Sequence, residues 1–194
     1  IQEDAWALWA ENNTKWIPGK ILAKVVKAAK TLGSDEEKAD YVYNYMVMNT
    51  LIFKRPYEDA YTFSTLFTSM LDRLKVSYTR GLTTNSYLEP FDKLINYSDA
   101  TRFIMLKNGK CYFPLGFAVS ANIIPSPYQN RDAVSTNHRK KFQKGPFNAF
   151  KIASSNASDN AENVTINASI DGTMLNIVRQ NVVTGCEKEG AIPP

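Results

Sequence analysis

Two thiols and one imidazole are the chain's whole supply of cysteine and histidine: Cys111, Cys186 and His138. Thiol catalysis needs a thiolate, made available by a helix N-terminus, a nearby cation or an imidazole. Cys111 follows a hairpin signal and reads as a strand residue. No helix dipole lowers its pKa there, so it reads as a half-buried structural thiol. His138 lies in His138-Arg139-Lys140-Lys141-Phe142-Gln143-Lys144 and meets Cys111 only if folding brings them together. The same basic run would grip phosphate or an acidic polysaccharide in a salt-dependent way. Without an aromatic-laced sheet or a recognition helix beside it, it reads as a solvated loop.

Carboxylates offer a second chemistry. Glu36, Glu37, Asp40, Glu58 and Asp59 include the residue types of a glycosidase pair. Such a pair needs a separation of roughly 5 to 9.5 Å, and Glu36 and Glu37 are already explained by helix capping. A third possibility is recognition by aromatic side chains, because Tyr41, Tyr43, Tyr45, Tyr57, Tyr61 and Tyr78 are close in sequence. Tyr41, Tyr43 and Tyr45 cannot all face one side of a helix, so some of them are exposed or lie at an interface. No GxGxxG, P-loop, HExxH or GxSxG pattern occurs, which leaves nucleotide, zincin and serine-hydrolase readings without support. Neither a cofactor nor a metal is expected from this residue inventory.

The elements that must position these groups are legible in part. Leu22, Val25, Val26, Ala29 and Leu32 follow helical spacing after Pro18-Gly19, and Gly33 is expected to end that helix in a left-handed conformation. Ser34-Asp35-Glu36-Glu37 reads as a capping box with an acidic first turn. Ala39, Val42, Tyr43, Met46 and Val47 form the apolar stripe of the helix it opens. Phe63, Leu66, Phe67, Met70, Leu71 and Leu74 then recur at i, i+3, i+4, i+7, i+8 and i+11, the spacing of a buried central helix. Beyond it, Val76 to Thr84 reads as a strand and Glu89 to Ile95 as a short helix. Phe103 to Leu106 and Cys111 to Phe113 read as strands about an Asn108-Gly109 turn. Ile123 to Gly145 is rich in proline and charge and reads as a long loop. Val164 to Ile170 and Thr173 to Val178 form a late hairpin about Asp171-Gly172. Helices first and an antiparallel sheet afterwards make the fold α+β. At the N-terminus, Trp6 and Trp9 are spaced for one helical turn, and with Trp16 they read as packing residues.

These residues, taken together, resemble the bacterial transglutaminase-like domains of the papain fold. Asp35 to Leu51 is similar to the helix that precedes the family's active site. Glu58-Asp59-Ala60 stands where the family carries Gly-Asp-Cys. The run Phe-x-x-Leu-Phe-x-x-Met-Leu-x-x-Leu-x-Val that follows is similar to its buried nucleophile helix. Thr101-Arg102-Phe103-Ile104 resembles the strand bearing the catalytic histidine, and Asn108-Gly109-Lys110-x-Tyr112-Phe113 the hairpin that leads to the catalytic aspartate. The resemblance spans about residues 20 to 120. It implies a transglutaminase-like, papain-like core with N-terminal helices, a central buried helix on an antiparallel sheet, and a late β-hairpin. The organisation implied is an N-terminal helical segment over 1–19, the core over 20–145, and an extension of the same domain over 146–194.

The resemblance also implies a lapsed enzyme. Ala60 stands in place of the thiol, Arg102 (or its neighbour Thr101) in place of the imidazole, and Leu115 near the position of the carboxylate. A methyl group is no nucleophile, and an arginine stays protonated at any working pH. Three losses together point to a natural lapse rather than a single inactivating change. The expected role is therefore binding or scaffolding, with Tyr57, Asp59, Tyr61 and Arg102 lining the former substrate cleft and an unknown protein or polysaccharide as partner. Two alternatives stand beside it: an active thiol-dependent acyltransferase or peptidase with a constellation built on Cys111, and a polysaccharide-binding module.

Composition sets the outer limits. The 194 residues are 44% hydrophobic and 22% charged, which suits one globular domain. A net charge of +4 is no nucleic-acid signature. No run of about 18 apolar residues is present, so no transmembrane helix is expected. No signal peptide is visible at Ile1, so the chain reads as a mature product or as part of a longer one. The abundance of Tyr, Asn and Ser over Cys and His fits an exported bacterial protein, whether periplasmic, cell-surface or secreted.

Overall fold

The computed structural model describes residues 19–53, 60–93, 99–114, 120–136 and 147–185. Trp6, Trp9, Trp16, Tyr57, Glu58, Asp59, Leu115, Cys186 and the basic run 138–144 lie outside the described residues. Among the described residues, three helices come first: α1 (Gly19–Ala29), α2 (Asp35–Phe53) and α3 (Ala60–Leu74). Seven strands follow: β1 (Tyr78–Thr83), β2 (Thr101–Leu106), β3 (Cys111–Tyr112), β4 (Asp132–Thr136), β5 (Phe147–Lys151), β6 (Glu162–Asp171) and β7 (Met174–Val183). β1 to β5 make one sheet in the order β3-β2-β1-β4-β5, with every neighbouring pair antiparallel. β6 and β7 pair only with each other. The architecture is α+β.

The capping box forms as the sequence predicts. Glu37 N–H donates to Ser34 Oγ at 3.1 Å, and Ser34 N–H donates to Glu37 Oε2 at 2.9 Å. Gly33 behaves differently from expectation. It does not take a positive φ; its N–H donates to the same Glu37 oxygen at 3.0 Å. α1 has already ended at Ala29, where Thr31 Oγ1 donates to Ala28 O at 2.8 Å and Leu32 N–H to Ala29 O at 3.1 Å. Tightened hydrogen bonds stop this helix, and glycine is recruited to cap the next one.

The reversal after α3 uses another device. Val76 N–H donates to Leu71 O at 3.0 Å and Lys75 N–H to Asp72 O at 3.1 Å. Lys75 has φ +59°. This is a Schellman motif with lysine at the left-handed position that glycine normally takes. Leu71 and Val76 are both buried in one cluster, which supplies the apolar contact that accompanies the motif. The motif turns the chain from α3 into β1, whose first residue Tyr78 donates its hydroxyl to Asp72 Oδ1 at 3.2 Å.

The sheet buries apolar residues on both faces. Tyr78, Ile104, Leu106 and Tyr112 join the three helices in one cluster. Tyr43 binds that layer together. Its ring meets Phe63, Phe67 and Tyr112 with centroids at 5.7, 5.9 and 5.4 Å, and its hydroxyl donates to Phe113 O at 3.0 Å. All six apolar stripe residues of α3 are buried, each worth about 1.5–3 kcal/mol of transfer free energy. On the far face, Phe103, Cys111, Phe113, Tyr128, Ala133 and Ile152 form a second cluster. There the Phe113 and Tyr128 rings stack 4.7 Å apart.

The sheet corrects one expectation. The stretch Ile123 to Gly145 is not a long loop throughout, because β4 lies within it, paired with β1 on one side and β5 on the other. β4 is Asp-Ala-Val-Ser-Thr, too short and too polar to show an apolar alternation. Its position in the sheet comes from small side chains, with Ala133, Ser135 and Thr136 buried between neighbours. Of the short helix predicted over Glu89 to Ile95, the described residues show a 3-10 turn over Phe91–Lys93, and residues 94 and 95 lie outside them.

Candidate functional site

α3 begins at Ala60. The first turn of a helix offers unpaired N–H groups and the positive end of its dipole. Tyr78, at the start of β1, bonds Asp72 near the end of α3 and pairs with Leu106, while Tyr112, the partner of Ile104, packs on Phe67; the Leu106 end of β2 therefore lies toward the end of α3 and its Thr101 end away from it. The β1–β2 register pairs Leu82 with Arg102 and Thr83 with Thr101. Strand side chains alternate between faces. Arg102 therefore shares a face with Ile104 and Leu106, which pack on the helices, while Thr101 shares the opposite face with Phe103. The Thr101 hydroxyl is 3.2 Å from the Tyr128 hydroxyl on that far side. Of the two residues read as standing at the imidazole position, Arg102 is the one on the helix-packed face. It is partly buried. Tyr61 lies in the first turn of α3.

The rest of this sheet end is rich in hydrogen bonds. Thr83 Oγ1 donates to Asp132 O at 2.8 Å. Arg131 grips the segment that leaves β1. Its Nη2 donates to Thr84 Oγ1 at 2.8 Å, Leu88 O at 3.2 Å and Glu89 O at 3.3 Å, and its Nε donates to Thr84 O at 3.3 Å. One guanidinium so holds residues 84–89 against the sheet, with Tyr87 at the exposed tip. Nothing in the sequence signals this clamp, whose partners are more than 40 positions away.

Cys111 faces the second cluster, on the opposite side of the sheet from α3. Its thiol sits 3.4 Å from Gly109 O, and burial pushes its pKa up to about 12. A thiol so placed is neutral at physiological pH and is not a nucleophile. Among the described residues, no group of three or more His, Cys, Asp or Glu is arranged to hold a metal ion, and no helix is long and apolar enough to cross a membrane.

Glu36 and Asp40 have a structural role that spacing alone did not reveal. Lys110 Nζ donates to Asp40 Oδ2 at 2.7 Å, Glu36 Oε1 at 2.9 Å and Asn122 Oδ1 at 2.7 Å. Tyr112 OH donates to Asp40 Oδ1 at 2.7 Å, and Asn108 Nδ2 to Glu36 Oε2 at 2.7 Å. The i, i+4 carboxylates of α2 are thus tied to the β2–β3 hairpin. Both are already engaged by donors, which removes them as an acid–base pair. Burial, reinforced by Asp40, pushes the Tyr112 phenol well above its ordinary pKa, so it stays a donor.

No family model matches the chain, and neither a curated protein nor a solved structure matches it.

Proposed function

We propose that this chain is a transglutaminase-like domain of the papain fold whose catalytic triad has lapsed. It serves an exported bacterial protein as a binding or scaffolding module. One observation carries the reading. A buried helix opens on Ala60, and β2, packed on that helix, turns Arg102 to the helix-packed face. A helix N-terminus facing a strand residue is the arrangement in which a thiol and an imidazole would meet. Here the two positions hold a methyl group and a permanent cation, so neither nucleophilic attack nor proton transfer follows.

What remains is suited to recognition. The helix terminus and Arg102 both favour negative charge or carbonyl oxygen, and Tyr57, Asp59 and Tyr61 would line the same cleft. An unknown protein or polysaccharide is the partner class. The distinction from an enzyme is tested by incubating the chain with a glutamine-donor peptide and a primary amine, and separately with peptide substrates. No turnover is expected. Turnover abolished by Arg102→Ala would overturn the reading. The competing thiol-enzyme reading built on Cys111 is weakened by that residue's burial and raised pKa.

A further inference from the structure

The β6–β7 ribbon is the largest feature that the proposed cleft does not use. Each strand has ten residues, and nearly every side chain on both is exposed. The turn is tight: Asp171 pairs with Met174 and Gly172 has φ +61°. Thr173 belongs to that turn and not, as the sequence suggested, to the second strand. The ladder continues one step past the strands, where Thr184 N–H donates to Ala161 O at 2.8 Å and Ala161 N–H to Thr184 Oγ1 at 3.0 Å. A two-stranded ribbon alone is marginal in water, and stability requires a third strand or a packed face.

The register sorts the ribbon's two faces. Val164, Ile166, Ala168 and Ile170 lie on one side of β6, opposite Asn181, Arg179, Ile177 and Leu175 of β7. Paired residues share a face, so this side carries a nearly continuous aliphatic stripe. Ile166 is 63% exposed, Ile170 78%, Leu175 62% and Ile177 60%. The reverse side carries Asn163, Thr165, Asn167, Ser169, Asn176 and Gln180, interrupted by Met174, Val178 and Val182. One face is made to be covered and the other to be wet.

Charge and area select the occupant. The stripe's only charged residues, Glu162 and Arg179, approach to 3.9 Å and cancel. The ribbon has no lysine and a single arginine, so it lacks the basic flank that draws an anionic lipid surface. A neutral stripe does not repel an identical copy, and a two-fold axis lets one patch serve both partners. A ribbon about 34 Å long and about 10 Å wide presents a footprint of about 340 Å² per copy when stacked face to face. Two copies then bury about 700 Å², short of the roughly 1,000 Å² of a stable interface and in the range of a weak, transient one. Ala168 leaves a notch between Ile166 and Ile170 for a side chain of the other copy.

We propose that the aliphatic face of the β6–β7 ribbon is a self-association surface, on which two copies of this chain stack their ribbons into a four-stranded sandwich. The interface area implies a weak, concentration-dependent dimer. Sedimentation equilibrium across the low- to high-micromolar range tests it. The expected mass rises from one chain to two. Ile166→Lys with Ile177→Lys should hold the mass at one chain at every concentration. Thr165→Lys with Asn176→Lys, on the wet face, should dimerise like the parent. Far-UV circular dichroism of both variants checks that the body of the fold is intact. Hydrogen exchange gives an independent readout: β6 and β7 amides should gain protection as concentration rises. A parent chain that stays monomeric throughout, or a dimer that survives the Ile166 and Ile177 changes, overturns the proposal.

Discussion

The ring of Phe103 lies flat on Gly81 across the β1–β2 ladder, in the space that a side chain at position 81 would occupy. Gly81 carries no positive φ, so its lack of a side chain answers to packing and not to backbone conformation. Phe103 in turn stacks on Phe113 at 5.3 Å and meets Phe150 edge-on at 6.1 Å. The far-face cluster therefore closes over β1 only because Gly81 has no Cβ. Gly81→Ala should destabilise the fold by about 1–3 kcal/mol through overpacking. Chemical denaturation would show a lower midpoint at unchanged slope. In a double-mutant cycle, Phe103→Leu should relieve part of that loss.

Lys75 closes the Schellman motif from a conformation that disfavours any residue with a Cβ. Lys75→Gly should therefore stabilise the protein, by about 0.5–1 kcal/mol, even though glycine usually weakens ordered structure. A thermal unfolding scan reads the sign directly. A loss of stability would mean that the Lys75 side chain contributes more than its backbone strain costs.

The Lys110 network ties α2 to the β2–β3 hairpin through charged hydrogen bonds. The lysine side chain is 16% exposed and that of Asp40 is 23% exposed. Lys110→Met leaves two carboxylates without their shared cation. Allowing for solvent screening, a cost of about 1–3 kcal/mol is expected. Lys110→Met combined with Asp40→Asn should cost less than the sum of the two single changes. Additive losses would show that the groups act independently.

Two titrations bear on stability. Hydrogen bonds from the Ser34 backbone, then from its hydroxyl and from Gly33 N–H, hold the Glu37 carboxyl below its ordinary range. A depressed folded-state pKa contributes stability that is present above the unfolded value and lost as pH falls through the folded one. The stability gap between the parent and Glu37→Gln should accordingly be full near neutral pH and shrink in acid. For Cys111 the sign is opposite. Its pKa is raised to about 12, so stability from the neutral thiol is complete below the unfolded value of about 9 and declines as pH rises toward 12. At neutral pH a thiol-directed electrophile should leave Cys111 unlabelled until denaturant is added.

The helices were legible because burial imposes a period. The stripe residues of α2 and α3 named from spacing are all buried, and the capping box forms with the partners its sequence pattern requires. β4 was not legible, because a strand hydrogen-bonded on both sides needs no large side chains when its faces meet small gaps. Asp132 to Thr136 accordingly looked like part of a loop. The bonds of Lys110 to α2 and of Arg131 to the segment after β1 join residues 42 to 74 positions apart, and no local pattern encodes such a meeting. At the candidate site, the helix start at Ala60 and the strand carrying Arg102 were readable, since each follows from local periodicity. That Arg102 and not Thr101 shares the face of Ile104 and Leu106 depends on which face of β2 meets the helices, which no local pattern fixes.

If Ala60 occupies a vacated nucleophile position, as proposed, Ala60→Cys places a thiol where a helix N-terminus activates it. The variant, in a Cys186→Ser background, is alkylated with iodoacetamide across a pH series, and the label at residue 60 is followed by peptide mass mapping. A thiol at this helix start should react at neutral pH faster than a free cysteine peptide. Its pH midpoint should lie a unit or more below the ordinary value of about 8.5. A residue-60 thiol that reacts no faster than the free peptide, or that is as protected as Cys111, would contradict the account.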